Sequence, residues 1–352
     1  MPSVTLTASA LAAPSAGRAS RAEVLDFVSD VLGWLSLSRE AWAGVYVRNE
    51  AVDAFFADNA SPLRQTLRRV FQESGIQEFD PNTVARAAEG LLELGGSFES
   101  RYGLRSALVD EASFTSCPDI LKALDGHESL LDEARTSAAL LIFLENRGEC
   151  ETDSLGLVVR PCADAHDCEV TVCVASVEHE SGRVEDFDEE APWRSTIHLS
   201  TCFSGWLETV DDTVLWRTAT RGAEYIAAVK GRLAKTRRAD SIPSSWVTLP
   251  EFALGPRFVE RVKRSCPGQT AGFVNALLRA MAETIEHRQM ADTHALRHGL
   301  GANDAQRVRA SDGAKAWRRD IDREYHLHYW ELGEGMVEFA SVGPHNDFTI
   351  PE

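Results

Sequence analysis

The run Tyr325-His326-Leu327-His328-Tyr329-Trp330 alternates in character residue by residue. Successive side chains of a strand point to opposite faces. A strand here gives Tyr325, Leu327 and Tyr329 one face and His326, His328 and Trp330 the other. Gly333-Glu334-Gly335 predicts a turn, because glycine reaches positive φ at little cost. A second strand is expected from about Met336 to Val342, broken by Gly343-Pro344, which delivers His345, Asn346 and Asp347. The expected product is a hairpin whose histidines converge on one edge. Arg307, Arg309, Lys315, Arg318, Arg319 and Arg323 crowd the approach to it.

Upstream, the hydrophobic period changes twice. Residues 1–20 are rich in Ala, Ser, Pro and Thr and read as a disordered lead-in. From Ser20 the spacing of Val24, Phe27, Val28, Val31, Leu32 and Leu35 is helical, and Ser20 with Glu23 makes a capping box. Further helices are expected from Ser61-Pro62, from Asp80-Pro81, from Pro118 to Leu124 and from Leu130 to Asn146. The last carries Ala138 to Leu144, apolar all round, and is the expected centre of a helical domain over 21–148. Residues 149–240 read as an acidic β-rich domain. Its strands are expected around Leu155–Val159, Val170–Val174, Ser195–Leu199 and Val214–Trp216, and a basic helix from Ala219 to Ala234 closes it. Arg237 to Pro250 reads as a linker. From Leu249 a helix, a longer helix, a connector and the hairpin make a third unit over 249–352. The fold class expected is α+β.

The chain has 352 residues and a formal net charge of −18, which argues against nucleic acid binding over its whole surface. The charge is uneven. Residues 150–215 hold fifteen Asp/Glu against three Arg, whereas 217–238 hold seven Lys/Arg against Glu224. Seven cysteines with no C-x-x-C pair suit a reducing, cytoplasmic setting. No apolar run reaches the roughly 18 residues of a membrane span, so no membrane association is expected. Cys162, His166, Cys168 and Cys173 carry the atoms zinc takes, in a spacing that matches no zinc knuckle. His287, His294 and His298 lack an H-E-x-x-H context, and Ser204 lacks a nucleophile-elbow glycine before it. No phosphate-binding glycine loop appears. Neither a metal nor a cofactor is expected.

The segment from Leu249 to Glu352, under a third of the chain, resembles the RelE/ParE superfamily of bacterial toxins. The resemblance rests on helical packing, then Leu296, Leu300 and Gly301. An arginine-rich approach follows, ending in Arg323-Glu324-Tyr325-His326-Leu327-His328-Tyr329, and then the ending Gly343, His345, Asp347. Most members are ribosome-dependent mRNA endonucleases. The resemblance therefore implies an antiparallel sheet packed on two helices, RNA or the ribosome as a partner, and a protein partner such as an antitoxin or a defence-complex subunit. Members often carry Arg where this chain has His326, and a catalytic His or Tyr where His345 stands. The alternative implication is a toxin-type fold without catalysis, used to regulate or assemble a complex.

The residue chemistry points the same way. Cutting RNA through its own 2′-hydroxyl needs a base, an acid and cations against the charge on phosphorus. His326, His328 and His345 are the candidate acid and base. Arg319 and Arg323 supply fixed charge. Lys315, Arg318, Trp330, Asp347 and Phe348 are candidate RNA contacts, with Trp330 or Phe348 as a stacking surface. The run Glu185–Glu190 is expected to fold over the Arg318, Arg319 and Arg323 approach as an internal phosphate mimic.

Overall fold

The structure is a computed structural model describing residues 2–94, 96–114, 124, 126–148, 155–160, 166–187, 192–240, 242, 246, 249–265, 270–299 and 304–352. The chain is mixed α and β, with two sheets in two compact units, Met1–Val210 and Asp211–Glu352. The sequence-based boundaries divide it differently.

The first unit is built on β1 (Ser3–Leu6), β2 (Gly44–Val47), β3 (Gly96–Ser97), β4 (Leu104–Phe114), β5 (Leu155–Val158), β6 (His166–His179), β7 (Val184–Asp186) and β8 (Trp193–Ser200). They order as β3-β2-β1-β5-β8-β6-β4, with β7 on β6. The neighbours from β3 to β8 pair in parallel, and β6 runs antiparallel to β8, β4 and β7. Parallel strands need both faces covered. The Glu128–Asn146 helix lies on this sheet with every residue from Ser137 to Leu144 buried. The Arg21–Ser38 helix starts at the expected capping box, in which Ser20 Oγ accepts from Glu23 N at 3.2 Å and Glu23 Oε2 accepts from Ser20 N at 2.6 Å.

Three sequence readings change here. Residues 1–20 are not a disordered lead-in, because Ser3–Leu6 is a buried strand between β2 and β5. Helical and β-rich segments are not separate domains, because β1, β2 and β3 join the same sheet as β5, β6 and β8. Val214–Trp216 is helical, within Asp212–Thr218, since Asp211 caps that helix by accepting from Thr213 N and Val214 N at 2.8 and 3.0 Å. The expected helix from Pro118 to Leu124 falls almost wholly outside the described residues.

A buried cation pins one end of the parallel strands. Arg48 follows β2 and is 1 % exposed, between Glu99 at 4.0 Å and Glu133 at 3.9 Å, with Glu50 as a third partner. Glu133 takes Ala8 N at 2.7 Å and Ser137 Oγ at 2.8 Å, so it ties its helix to the residues that follow β1. Burial pushes the Glu133 carboxyl up from its ordinary value, against the pull of Arg48.

The second unit takes in the Gly222–Ala239 helix, which the sequence reading attached to the middle domain. Arg232 fixes it there, with Asp212 at 2.5 and 3.1 Å and Asn275 at 2.8 Å. Its sheet comprises β9 (Phe252–Leu254), β10 (Thr293–Ala295), β11 (Lys315–Asp320), β12 (Tyr325–Glu331) and β13 (Val337–Pro344), ordered β10-β11-β12-β13-β9. Only the β13 and β9 pairing is parallel among these. The expected hairpin is β12 and β13, turned through a 3₁₀ segment with Gly335 at φ 77°. The helix Ala271–Ile285 packs on the Tyr325 face of β12, where Phe273 and Tyr325 meet ring to ring at 5.4 Å.

Candidate active site

The other face of β12 carries His326, His328 and Trp330, as the alternation requires. Register sets Asp320 opposite His326, Arg318 opposite His328 and Ala316 opposite Trp330. On the far side Gly343 stands opposite His326 and Ser341 opposite His328. Gly343 suits this position because a Cβ there would meet Asp347 Oδ2 at 2.9 Å.

His326 is 1 % exposed, and its Nε2 lies 2.7 Å from Asp320 Oδ1. Burial lowers its pKa from the ordinary histidine value. Asp320 pulls the other way, while Arg318 and His345 reinforce the drop. A neutral His326 donates Nε2–H to Asp320, which leaves the lone pair on Nδ1. His345 lies over it, with ring centroids 4.4 Å apart and planes inclined by 36°. The turn after β13 carries His345, whose amide donates to Glu324 O at 2.8 Å. Among the three candidate histidines, His345 alone is exposed.

His328 is fully buried, with Nδ1 3.0 Å from Thr349 O and 3.2 Å from Ser341 Oγ. Burial drives its pKa down to about 4, so it is neutral near pH 7. It anchors the chain end and is no proton donor to RNA. Trp330 is 1 % exposed and donates its indole N–H to Pro351 O at 2.8 Å. It packs with Leu296, Ala314, Ala316 and Ala340, which removes it as a stacking surface for a base.

The arginines divide by face. Arg319 points to the helix side, 1 % exposed, with Glu283 at 2.7 Å and Arg288 O at 2.8 Å. Alternation along β11 forces this, and Arg319 is a structural cation rather than a phosphate ligand. Lys315 is exposed, at the far end of β11 from Asp320 and in the Arg319 side-chain phase. It does not join His326. Arg318 does: its guanidinium lies 4.9 Å from the Phe348 ring, on the histidine face. Arg323 is exposed in the turn between β11 and β12, next to Glu324, which holds His345. Asp347 accepts from Thr349 N and Oγ1 at 2.8 and 2.7 Å. Burial raises its carboxyl, but Thr349, His328 and Arg261 outweigh that and leave it below the usual range. Asp347 therefore shapes a turn. Arg261, from the helix Phe258–Ser265, adds positive charge there.

His326 Nδ1, His328 Nε2 and Arg318 Nη1 are buried polar atoms with no hydrogen-bond partner among the described residues. Such atoms are costly in isolation and are common at ligand sites. Sequence reading missed Asp320. The signal was its placement, six residues before His326 across a tight turn, where a hairpin pairs the two. His287, His294 and His298 do not share a helix, because the helix ends at Ile285 and His294 lies in β10. Among the described residues, no group of three or more His, Cys, Asp or Glu is placed to hold a metal ion. Cys162 and the side chains of His166 and Cys168 lie outside the described residues, and Cys173 is a half-buried free thiol.

The acidic run is also changed. Glu185 and Asp186 belong to β7, and Glu185 pairs with Arg147, Arg183 and His179. Phe187 meets Trp193 and Phe143, at 4.8 and 6.0 Å. Asp188, Glu189 and Glu190 lie outside the described residues. Arg319, one intended target of the run, is already held by Glu283. No helix among the described residues is long and apolar enough to cross a membrane.

Compared with family models, with curated proteins and with solved structures, the chain matches none of them.

Proposed function

We propose that the Asp211–Glu352 unit cleaves RNA through the RNA's own 2′-hydroxyl. One observation carries this: exposed His345 lying over buried His326, which Asp320 holds, with Arg318 beside them. In the reaction the 2′-oxygen bonds to phosphorus as the bond to the 5′-oxygen breaks. A proton leaves the 2′-hydroxyl and another reaches the 5′-oxygen, giving a 2′,3′-cyclic phosphate and a 5′-hydroxyl. His345 takes the proton from the 2′-hydroxyl and, once protonated, delivers one to the departing 5′-oxygen. His326 lies beneath it and fixes the ring. Arg318 faces the phosphate, and Arg323 and Arg261 hold its neighbours.

Charge supports the reading. The second unit holds twenty Lys/Arg against nineteen Asp/Glu, while the first holds sixteen against thirty-five. The net acidity thus belongs to the first unit, and the second is close to neutral. The resemblance to RelE/ParE toxins supports it too, and extends it to a toxin-like role in stress or phage defence, with mRNA as substrate and a separate protein as restraint.

The test is cleavage of an unstructured RNA by the purified full chain. His345→Ala is expected to slow it by about 10²–10⁴-fold, the usual worth of a general acid or base. Arg318→Ala is expected to slow it too, and Arg323→Ala to raise KM. Cleavage by His345→Ala at the parent's rate refutes the assignment. The second reading, a toxin-type fold used for assembly, is favoured by the structural use of Arg319 and Trp330. It stands if the parent chain binds RNA or a protein and cuts nothing.

A further inference from the structure

His345 is exposed, and an exposed ring in a turn has one position only if both limbs of the turn are fixed. The limb before it is β13, paired with Tyr325 and His326. The limb after it is the segment from Asn346 to Glu352. There Asp347 holds Thr349 N and Oγ1, Thr349 O meets His328 Nδ1 at 3.0 Å, and Pro351 O takes the Trp330 N–H at 2.8 Å. Phe348 and Ile350 pack against the cluster of Leu296, Ala314, Ala316, Trp330 and Ala340. Phe348 is also the ring under the Arg318 guanidinium, at 4.9 Å. Phe348, Thr349, Ile350 and Pro351 therefore bear on the histidine turn and on the arginine.

We propose that Phe348–Glu352 is a strap that assembles the site, setting His345 over His326 and Arg318 over Phe348, with His328 and Trp330 as its two anchors. His328, Trp330 and Phe348 are thus positioning residues. This explains why two of the alternating residues on the histidine face are fully buried yet polar. Each spends its ring polar group on a carbonyl of the strap. A neutral His328 suits that task, because Nδ1–H donates to Thr349 O. The kinetic consequence rests on the RNA-cleavage reading; the structural consequence does not.

The experiment uses the full chain with labelled histidine and reads the contact between the His326 and His345 rings by NMR, without RNA. Three variants accompany the parent: a chain ending at Asp347, Trp330→Phe, which removes one N–H and keeps a ring, and Phe348→Ala. The inter-ring contact is expected in the parent, absent in the shortened chain and weakened in Trp330→Phe. RNA cleavage is expected to lose about tenfold to a hundredfold in kcat, as small misplacements do, while KM stays within about twofold. Phe348→Tyr, which keeps the ring, is expected to restore the Phe348→Ala loss. If the shortened chain does not fold, Trp330→Phe and Phe348→Ala decide. An unchanged ring contact and unchanged kcat in the variants that fold overturn the strap. A parent that cuts no RNA refutes the cleavage reading, and the ring contact then still decides the strap.

Discussion

His328 is expected to make the second unit sensitive to acid, by an amount the structure sets. Its pKa in the folded chain is about 4, against an ordinary value of 6.5. Burial is the main cause, helped by His326 and Arg318 and opposed by Asp347 and the Thr349 carbonyl. Between those two values the unfolded chain binds a proton that the folded chain does not. Stability therefore rises with pH across this window. It is lost as pH falls from about 6.5 to about 4. A gap of that size corresponds to roughly 3 kcal/mol. The assay is urea unfolding of the full chain at pH 7.5 and pH 4, read on NMR signals of β12, for the parent and for His328→Gln. The glutamine variant is less stable at both pH values, but it lacks this titration. The parent is expected to lose about 3 kcal/mol more than the variant between the two conditions. His326 and Asp347 are present in both chains, and their coupling to His328 is part of the measured difference. Parallel losses, or a His328 ring that titrates near 6.5, refute the reasoning.

Burial raises Asp30 to about 6 from 3.8, although Phe203 N donates to it at 3.0 Å. Its protonated form favours the fold below about pH 3.8, and that contribution is lost as pH rises through about 6. Asp30→Asn is expected to stabilise the first unit by about 1–3 kcal/mol at pH 7 and to give no gain at pH 4, measured by denaturant unfolding. Phe143→Ala, which removes a ring packed on Trp193 and Phe187 within the central helix, is expected to cost about 3–5 kcal/mol in the same assay; a change near zero places that helix at the periphery. Arg319→Ala removes a buried cation, leaves the half-buried Glu283 carboxylate without it, and is expected to cost about 3 kcal/mol. Arg318→Ala is expected to leave stability nearly unchanged and to slow cleavage, and the reverse pattern contradicts the division of the two arginines by face.

Much of the site was legible because a strand has a period of two. Alternation placed His326, His328 and Trp330 on one face, and Gly343-Pro344 brought His345 back to them. The same period applied to Lys315–Asp320 separates Arg318 from Arg319, and only pairing with β12 reveals which of them shares the histidine face. Burial was not legible. Trp330 and His328 look like exposed recognition residues until the chain end folds across them, and nothing local marks Thr349 O and Pro351 O as their acceptors. In the first unit the elements were readable and their partners were not. Ser3–Leu6 is four residues long in a segment of small side chains, and its strand character comes from β2 and β5 on either side. Capping was readable in advance at Ser20 and Glu23, because those contacts span only three residues.

The most direct test of the cleavage assignment uses one RNA in two forms, identical except that the nucleotide before the cut carries a 2′-hydroxyl or a 2′-hydrogen. The purified full chain is incubated with each in the presence of a chelator, and the product ends are determined. The expected result is a 2′,3′-cyclic phosphate and a 5′-hydroxyl from the first RNA and no cut at that position in the second, with His345→Ala about 10²–10⁴-fold slower on the first. Cleavage of the 2′-deoxy substrate at the same bond, or products ending in a 5′-phosphate, contradicts the mechanism.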